Sequence, residues 1–341
     1  MTDSLQKRLA MMARMFPAGH IKLDKKLGPF QALPIYAPHI TELFALLSGV
    51  KPVIFDAVGP GSMGEMREVC AGFRLHIQPF EDKVLQAGRT FVLIGKDREL
   101  LKKAAGYYQN LRKDYMRWGT ALGYPACCVA AIRQWKGPKG STLHRPDIVE
   151  FVFNNTPKSG QLPFLTNNVF NYFSRPGRRA GAGYDEIYRQ QGAQVSRMNS
   201  RFTFSLLSII SWHPCSYFCA ESLKKAKVVF DVMSYYVPEF AKVRKAALSR
   251  PVFFMDKYEF AVLNDISRNI KGGGAEITYS GLFPVKSLLD RKYLGLLENN
   301  SVIAQCAGAV RLGGKVLKPA APFSRAPLLL PFSDIIESRG R

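Results

Sequence analysis

The sequence predicts an α+β protein in three modules: a small N-terminal α/β module, a helical cysteine-bearing middle domain and a β-rich C-terminal module. Three observations lead there. Short apolar runs with strand character precede a helical stretch near residue 100. Residues 101–245 carry helical spacing with irregular loops. Beyond Pro251, strand-like runs are separated by glycine turns. A chain of 341 residues with 47% hydrophobic content has ample material for a core.

Residues 1–30 read as a basic helical arm. Leu5, Leu9, Met12 and Phe16 have helical spacing, Lys7, Arg8 and Arg14 lie between them, and Gly28-Pro29 ends the run. The α/β module covers residues 31–100. Its strand candidates are 52–58, 73–79 and 90–95, and Asp97 then caps a helix over 99–112. The run Gly59-Pro60-Gly61-Ser62-Met63-Gly64 has the Gly-x-Gly-x-x-Gly form, with Glu81 and Asp82 at the distance of a ribose-binding acid. Only residues 65–72 remain for the helix that should follow, and Pro60 stiffens the turn. A glycine-rich surface turn is therefore the first reading and a nucleotide site the second.

The middle domain covers residues 101–245. Within it, residues 154–179 are too polar for a core helix and too aromatic for a linker; they read as an ordered loop with a short helix that covers something. The C-terminal module, 246–341, has strand character at 251–255, 258–263, 276–279 and 301–312. Turns fall at Lys271-Gly272-Gly273-Gly274 and Gly313-Gly314, and an extended tail follows Pro319.

Net charge is +22, from 48 Lys and Arg against 26 Asp and Glu. Such an excess calls for an anionic partner: a small anionic substrate or, alternatively, a nucleic acid. Arg175, Arg178 and Arg179, in the densest basic stretch with glycine, are the candidate anion-binding residues. No apolar run reaches the ~18 residues of a membrane span. The N-terminal segment lacks the apolar core of a secretory signal, so a cytoplasmic, reducing compartment is expected.

Four of the six cysteines fall in two related motifs. One is Leu122-Gly123-Tyr124-Pro125-Ala126-Cys127-Cys128; the other is Trp212-His213-Pro214-Cys215-Ser216-Tyr217-Phe218-Cys219. Proline suits the first position of a helix, so Pro125 and Pro214 predict two helix starts, one running to about Trp135 and the other into Lys227. Thiols in a first helical turn are biased toward thiolate, the form that binds metal. Cys215 and Cys219 would share one helix face. Cys127 and Cys128 would diverge by about 100°, so a three-cysteine centre and a four-cysteine centre both suit the pattern. His213 is a further candidate ligand. Cys70 and Cys306 sit alone in apolar sequence and read as small buried hydrophobes.

The run Gly-Tyr-Pro-x-Cys-Cys followed by His-Pro-Cys-x3-Cys-x2-Ser, ending at Ser222, resembles an uncharacterised prokaryotic domain family of unknown function. The resemblance covers residues 100–230, including 162–172. It implies that the cysteines form one site and brings no established activity.

All-sulfur ligation suits iron–sulfur clusters and zinc. The Cys-Cys arm departs from the usual paired arms of a zinc knuckle, which makes a 4Fe-4S cluster the first choice of cofactor and zinc the alternative. The corresponding expectation is an enzyme with an iron–sulfur or related thiolate metal centre, acting on a small anionic substrate by Lewis-acid or redox chemistry. The rivals are a zinc-stabilised basic nucleic-acid-binding protein and a metal-free thiol-dependent enzyme.

Overall fold

The computed structural model describes residues 19–22, 32–35, 40–58, 63–80, 90–135, 147–157, 160–169, 208–236, 238–255, 260–271, 274–283, 291–306, 309–317 and 327–335. Among them, helices and mostly antiparallel sheets coexist, as the α+β class requires. The first described elements are a two-stranded antiparallel pair, β1 (Gly19–Lys22) and β2 (Ala32–Ile35). Residues 19–22 of the expected helical arm are thus a strand; the rest of the arm, 1–18 and 23–30, lies outside the described residues.

Helix α1 (Ile40–Leu47) leads into a three-stranded sheet of β3 (Val53–Val58), β4 (His76–Phe80) and β5 (Thr90–Gly95), with α2 (Met63–Gly72) between β3 and β4. The strand order is β3-β5-β4, and β5 is antiparallel to both neighbours. A dinucleotide fold needs a parallel sheet around its glycine-rich turn. Here the hydrogen-bonded neighbour of β3 runs antiparallel. The topology therefore departs from the dinucleotide pattern, although Gly59–Ser62, Glu81 and Asp82 lie outside the described residues.

Helix α3 (Arg98–Gln109) starts where the sequence places it. The Asp97 carboxylate accepts from the N–H groups of Glu99 at 2.8 Å and Leu100 at 3.1 Å, satisfying two donors that the helix leaves open. Then come α4 (Leu111–Ala121), α5 (Ala126–Gln134) and α6 (Asp147–Asn154). The covering loop contains β6 (Leu162–Pro163) and a 3-10 turn (Phe164–Thr166), a short helical element as expected.

Helices α7 (Ala220–Tyr236) and α8 (Pro238–Leu248) lead to the C-terminal sheet. Its strands are β7 (Val252–Phe254), β8 (Phe260–Lys271), β9 (Gly274–Phe283), β10 (Val302–Cys306), β11 (Ala309–Leu312), β12 (Lys315–Leu317) and β13 (Leu328–Leu330), with α9 (Arg291–Glu298) before β10. The order is β12-β11-β10-β9-β8-β7-β13. The tail is more than an extended coil. Leu328, Leu329 and Leu330 are buried and pair with β7, and β14 (Phe332–Ser333) then pairs in parallel with β6. One apolar core joins residues from all three regions, among them Phe44, Ile54, Cys128, Phe164, Val252 and Phe332. No described helix is long and apolar enough to cross a membrane.

Gly123, between α4 and α5, has φ +76, and a Cβ there would stand 2.6 Å from the Val50 carbonyl oxygen. The Gly123→Ala variant should lose at least about 1–2 kcal/mol from the left-handed backbone alone, with the clash added. Urea denaturation of the two proteins measures the difference.

Candidate metal centre

The first motif is placed by a tight turn. Helix α4 ends at Ala121 with Leu122 as its cap, Gly123 reverses the chain, and the extended Pro125 caps α5. Gly119 on α4 faces Val129 on α5 so closely that a Cβ would lie 2.6 Å from it. Absence of a side chain there lets the two helices meet, which fixes the first turn of α5 with Cys127 and Cys128.

The second motif corrects the sequence expectation. Pro214 does not start a helix; residues 208–219 are irregular and α7 begins at Ala220. The side chains of another segment satisfy this buried loop, as a buried loop requires. Thr156 Oγ1 accepts from the Tyr217 N–H at 3.0 Å, Thr166 Oγ1 donates to the Tyr217 carbonyl at 2.7 Å, and Asn168 Nδ2 donates to the Trp212 carbonyl at 2.9 Å. These tertiary bonds outweigh the local preference for a helix. Cys215 and Cys219 therefore do not share a helix face. They converge because the loop folds back between them, with the Cys219 N–H bonded to the Ser216 carbonyl at 3.0 Å.

The four sulfurs meet. Cys127, Cys128, Cys215 and Cys219 place their Sγ atoms all within 4.8 Å of one another. Cys127 Sγ lies 3.9 Å from Cys128 Sγ and 3.6 Å from Cys219 Sγ, and Cys128 Sγ lies 3.5 Å from Cys219 Sγ. The expected divergence of the vicinal pair does not keep either one away. Cα–Cβ bonds on a helix tilt toward its N-terminus, so both thiols lean over the end of α5 where the second loop lies. Cys128 and Cys219 are buried, Cys215 is half-buried and Cys127 is exposed.

Polar groups surround the sulfurs. The Cys215 N–H points at Cys128 Sγ, at 3.2 Å. The fully buried Ser222 hydroxyl accepts from Trp212 Nε1 at 2.9 Å and stands 3.2 Å from Cys128 Sγ. The Cys128 thiol is the largest influence holding Cys219 down to about 4; the Ser222 hydroxyl and N–H and the Cys127 thiol add to it against burial. Accepting the Ser222 N–H makes the Cys219 sulfur a cap for α7, where the helix end favours negative charge. The other three thiols move up. Cys128 is raised by its bond to Cys219 and then by burial, Cys215 is pushed to about 12 chiefly by burial, and burial also raises Cys127. Negative charge in the metal-free cluster is thus favoured at Cys219 over its three neighbours.

His213 is not one of the clustered ligands. Its Nδ1 faces Asn168 Nδ2 at 3.2 Å. Cys70 is buried as expected, with its thiol pushed to about 11 by desolvation. Cys306 is exposed instead, because it closes β10 beside the hairpin to β11, where the pairing ends. Arg175, Arg178 and Arg179 lie outside the described residues. Sequence reasoning missed Thr156, Thr166 and Asn168 as the frame of the site; Ser222 was visible only as the last position of the second motif.

The structure defines a class of site, a four-cysteine cluster compatible with a metal centre, in an α+β chain. No protein-family model, curated protein or solved structure matches the chain.

Two outcomes follow from burial and protonation. Cys128→Ser and Cys219→Ser should abolish metal uptake, while exposed Cys127→Ser should retain weakened binding because water can replace its sulfur. Cys70→Ser and Cys306→Ser should keep full uptake. Metal per chain after purification reads all five. Ligating thiols must be deprotonated, so binding at neutral pH should release protons and weaken as pH falls. Titration calorimetry in buffers of different ionisation enthalpy counts them.

Proposed function

We propose that Cys127, Cys128, Cys215 and Cys219 hold a single tetrahedral ion, with zinc as the resident metal, in a basic protein that binds a nucleic acid. The sulfur spacing carries this reading. Four sulfurs at about 2.3 Å from one zinc are separated by about 3.8 Å along each edge of the tetrahedron. The separations among Cys127, Cys128 and Cys219 are 3.5, 3.6 and 3.9 Å, and Cys215 lies within 4.8 Å of all three. In a 4Fe-4S cluster each cysteine binds its own iron, which sets the sulfurs farther apart than around one ion. The spacing therefore favours the mononuclear centre over the cluster that the Cys-Cys arm suggests from sequence. Four protein ligands make a closed, structural site, which orders the loop before α7 and fixes it to α5. A net charge of +22 supports a polyanion as partner.

A second reading rests on the exposure of Cys127. An exposed ligand is the one that exchanges most readily. Its release would leave three cysteines and an open position, the arrangement of a catalytic metal acting on a small anionic substrate.

Elemental analysis of protein purified without chelator, combined with oligonucleotide binding at several salt concentrations, tests the proposal. The expected result is one zinc per chain, a colourless protein, and an affinity that falls linearly with salt on logarithmic axes. A brown protein with several irons and acid-labile sulfide overturns the mononuclear reading. A zinc protein without oligonucleotide affinity overturns the nucleic-acid part and leaves the catalytic reading standing.

A further inference from the structure

We infer that a cleft between α8 and β14 binds the phosphate group of a small phosphate monoester. The cleft has a volume of about 540 Å³ and lies between α8, β8 and β14. Lys242, Lys245, Ser249, Arg268, Ser333 and Asp334 supply its polar lining.

The sequence builds this lining at helical spacing. Lys242 and Lys245 are three apart on α8, and Ser249 follows four residues later, with its N–H bonded to the Lys245 carbonyl at 3.0 Å. Residues three and four apart share one helix face. Two ammonium groups and a hydroxyl therefore lie along one stripe. The opposite wall is rigid. Arg268 on β8 donates from Nη1 to the Phe332 carbonyl at 2.6 Å and from Nη2 to the Ser249 carbonyl at 2.9 Å, while its Nε meets Asp265 at 2.5 Å. A guanidinium has five N–H donors, so this arginine joins the two walls and retains donors beyond those three bonds.

Two hydroxyls in the lining point to a ligand. Ser333 is only 3% exposed, and neither its Oγ nor that of Ser249 has a hydrogen-bond partner among the described residues. Buried hydroxyls are almost always satisfied, and an exception calls for an explanation such as a missing ligand. Ligand oxygens accept from hydroxyl, ammonium and guanidinium donors alike, which is the donor set found here. A phosphate presents several such oxygens and the charge to match two lysines and an arginine. Asp334 opposes it. Its carboxylate is exposed and stands 3.8 Å from Lys245 Nζ, where it competes with an incoming anion for that ammonium. The site is separate from the four cysteines and does not depend on the metal they hold.

Titration calorimetry of the full chain with phenyl phosphate, at ionic strength held constant with sodium chloride, tests the inference. Saturable binding is expected. The double variant Lys242→Ala, Lys245→Ala should weaken it at least about tenfold, and Ser333→Ala should weaken it severalfold, through loss of charge-assisted donors. Asp334→Asn should tighten it severalfold by freeing Lys245. This last variant acts at an exposed side chain and changes affinity in the direction opposite to damage. Absence of saturable binding overturns the proposal, and so does equal affinity in the wild type, the double-lysine variant and Asp334→Asn. An oligonucleotide that binds this cleft while phenyl phosphate does not would also overturn the small-ligand assignment.

Discussion

Two segments of chain 87 residues apart are brought together where Cys128 Sγ receives the Cys215 N–H, and four sulfurs crowd within 4.8 Å of one another at that junction. Such crowding is unfavourable to anions and neutral to thiols. Without metal, the surroundings hold the Cys219 thiol low and raise that of Cys128, which favours negative charge at one sulfur rather than several. A cation that binds all four sulfurs removes that conflict and cross-links the loop. Because such a site does not persist in the unfolded chain, the binding free energy of the cation adds directly to the stability of the folded state.

The junction depends on a buried polar frame. An irregular loop cannot bury its backbone unless other groups bond to it. Thr156, Thr166 and Asn168 provide those bonds from one side. From the other, the buried Lys51 ammonium pairs with Glu42, bonds Ser211 Oγ at 2.9 Å and lies 5.2 Å from the centre of the Tyr124 ring. Burial is the largest influence and works against that ammonium, but Glu42, Tyr124 and Asp56 together outweigh it, so the lysine stays charged. Lys225 on α7 donates to the Gly123 carbonyl at 2.7 Å, joining the second helix to the turn that precedes the first. Asn167 reaches the Leu248 carbonyl at the end of α8, and Phe332 packs edge-on against Tyr217. The same strand segment thus touches both the cysteine loop and the cleft beside α8.

Much of this was legible in the sequence. Pro-linked cysteines at two sites pointed to one centre, and the covering loop around Leu162–Thr166 was readable from its mixture of aromatic and amide residues. Asp97, the strands before it and the glycine turn at Gly313-Gly314 follow local rules that the fold obeys. What was not legible is tertiary. Nothing near Pro214 reveals that Thr156 will bond the loop and delay the helix to Ala220. The antiparallel insertion of β5 between β3 and β4 leaves no local trace, since a strand's neighbours are chosen by the whole sheet. Leu328–Leu330 reads as tail because its burial depends on an edge offered by β7. Cys306 looks buried by composition and is exposed by its position at a hairpin end.

The central claim is that four sulfurs surround one ion. X-ray absorption at the metal edge of the purified protein tests it most directly. The account predicts a single shell of four sulfurs at about 2.3 Å with no metal–metal scattering. A resolved metal–metal shell, or a first shell dominated by nitrogen and oxygen, would contradict it.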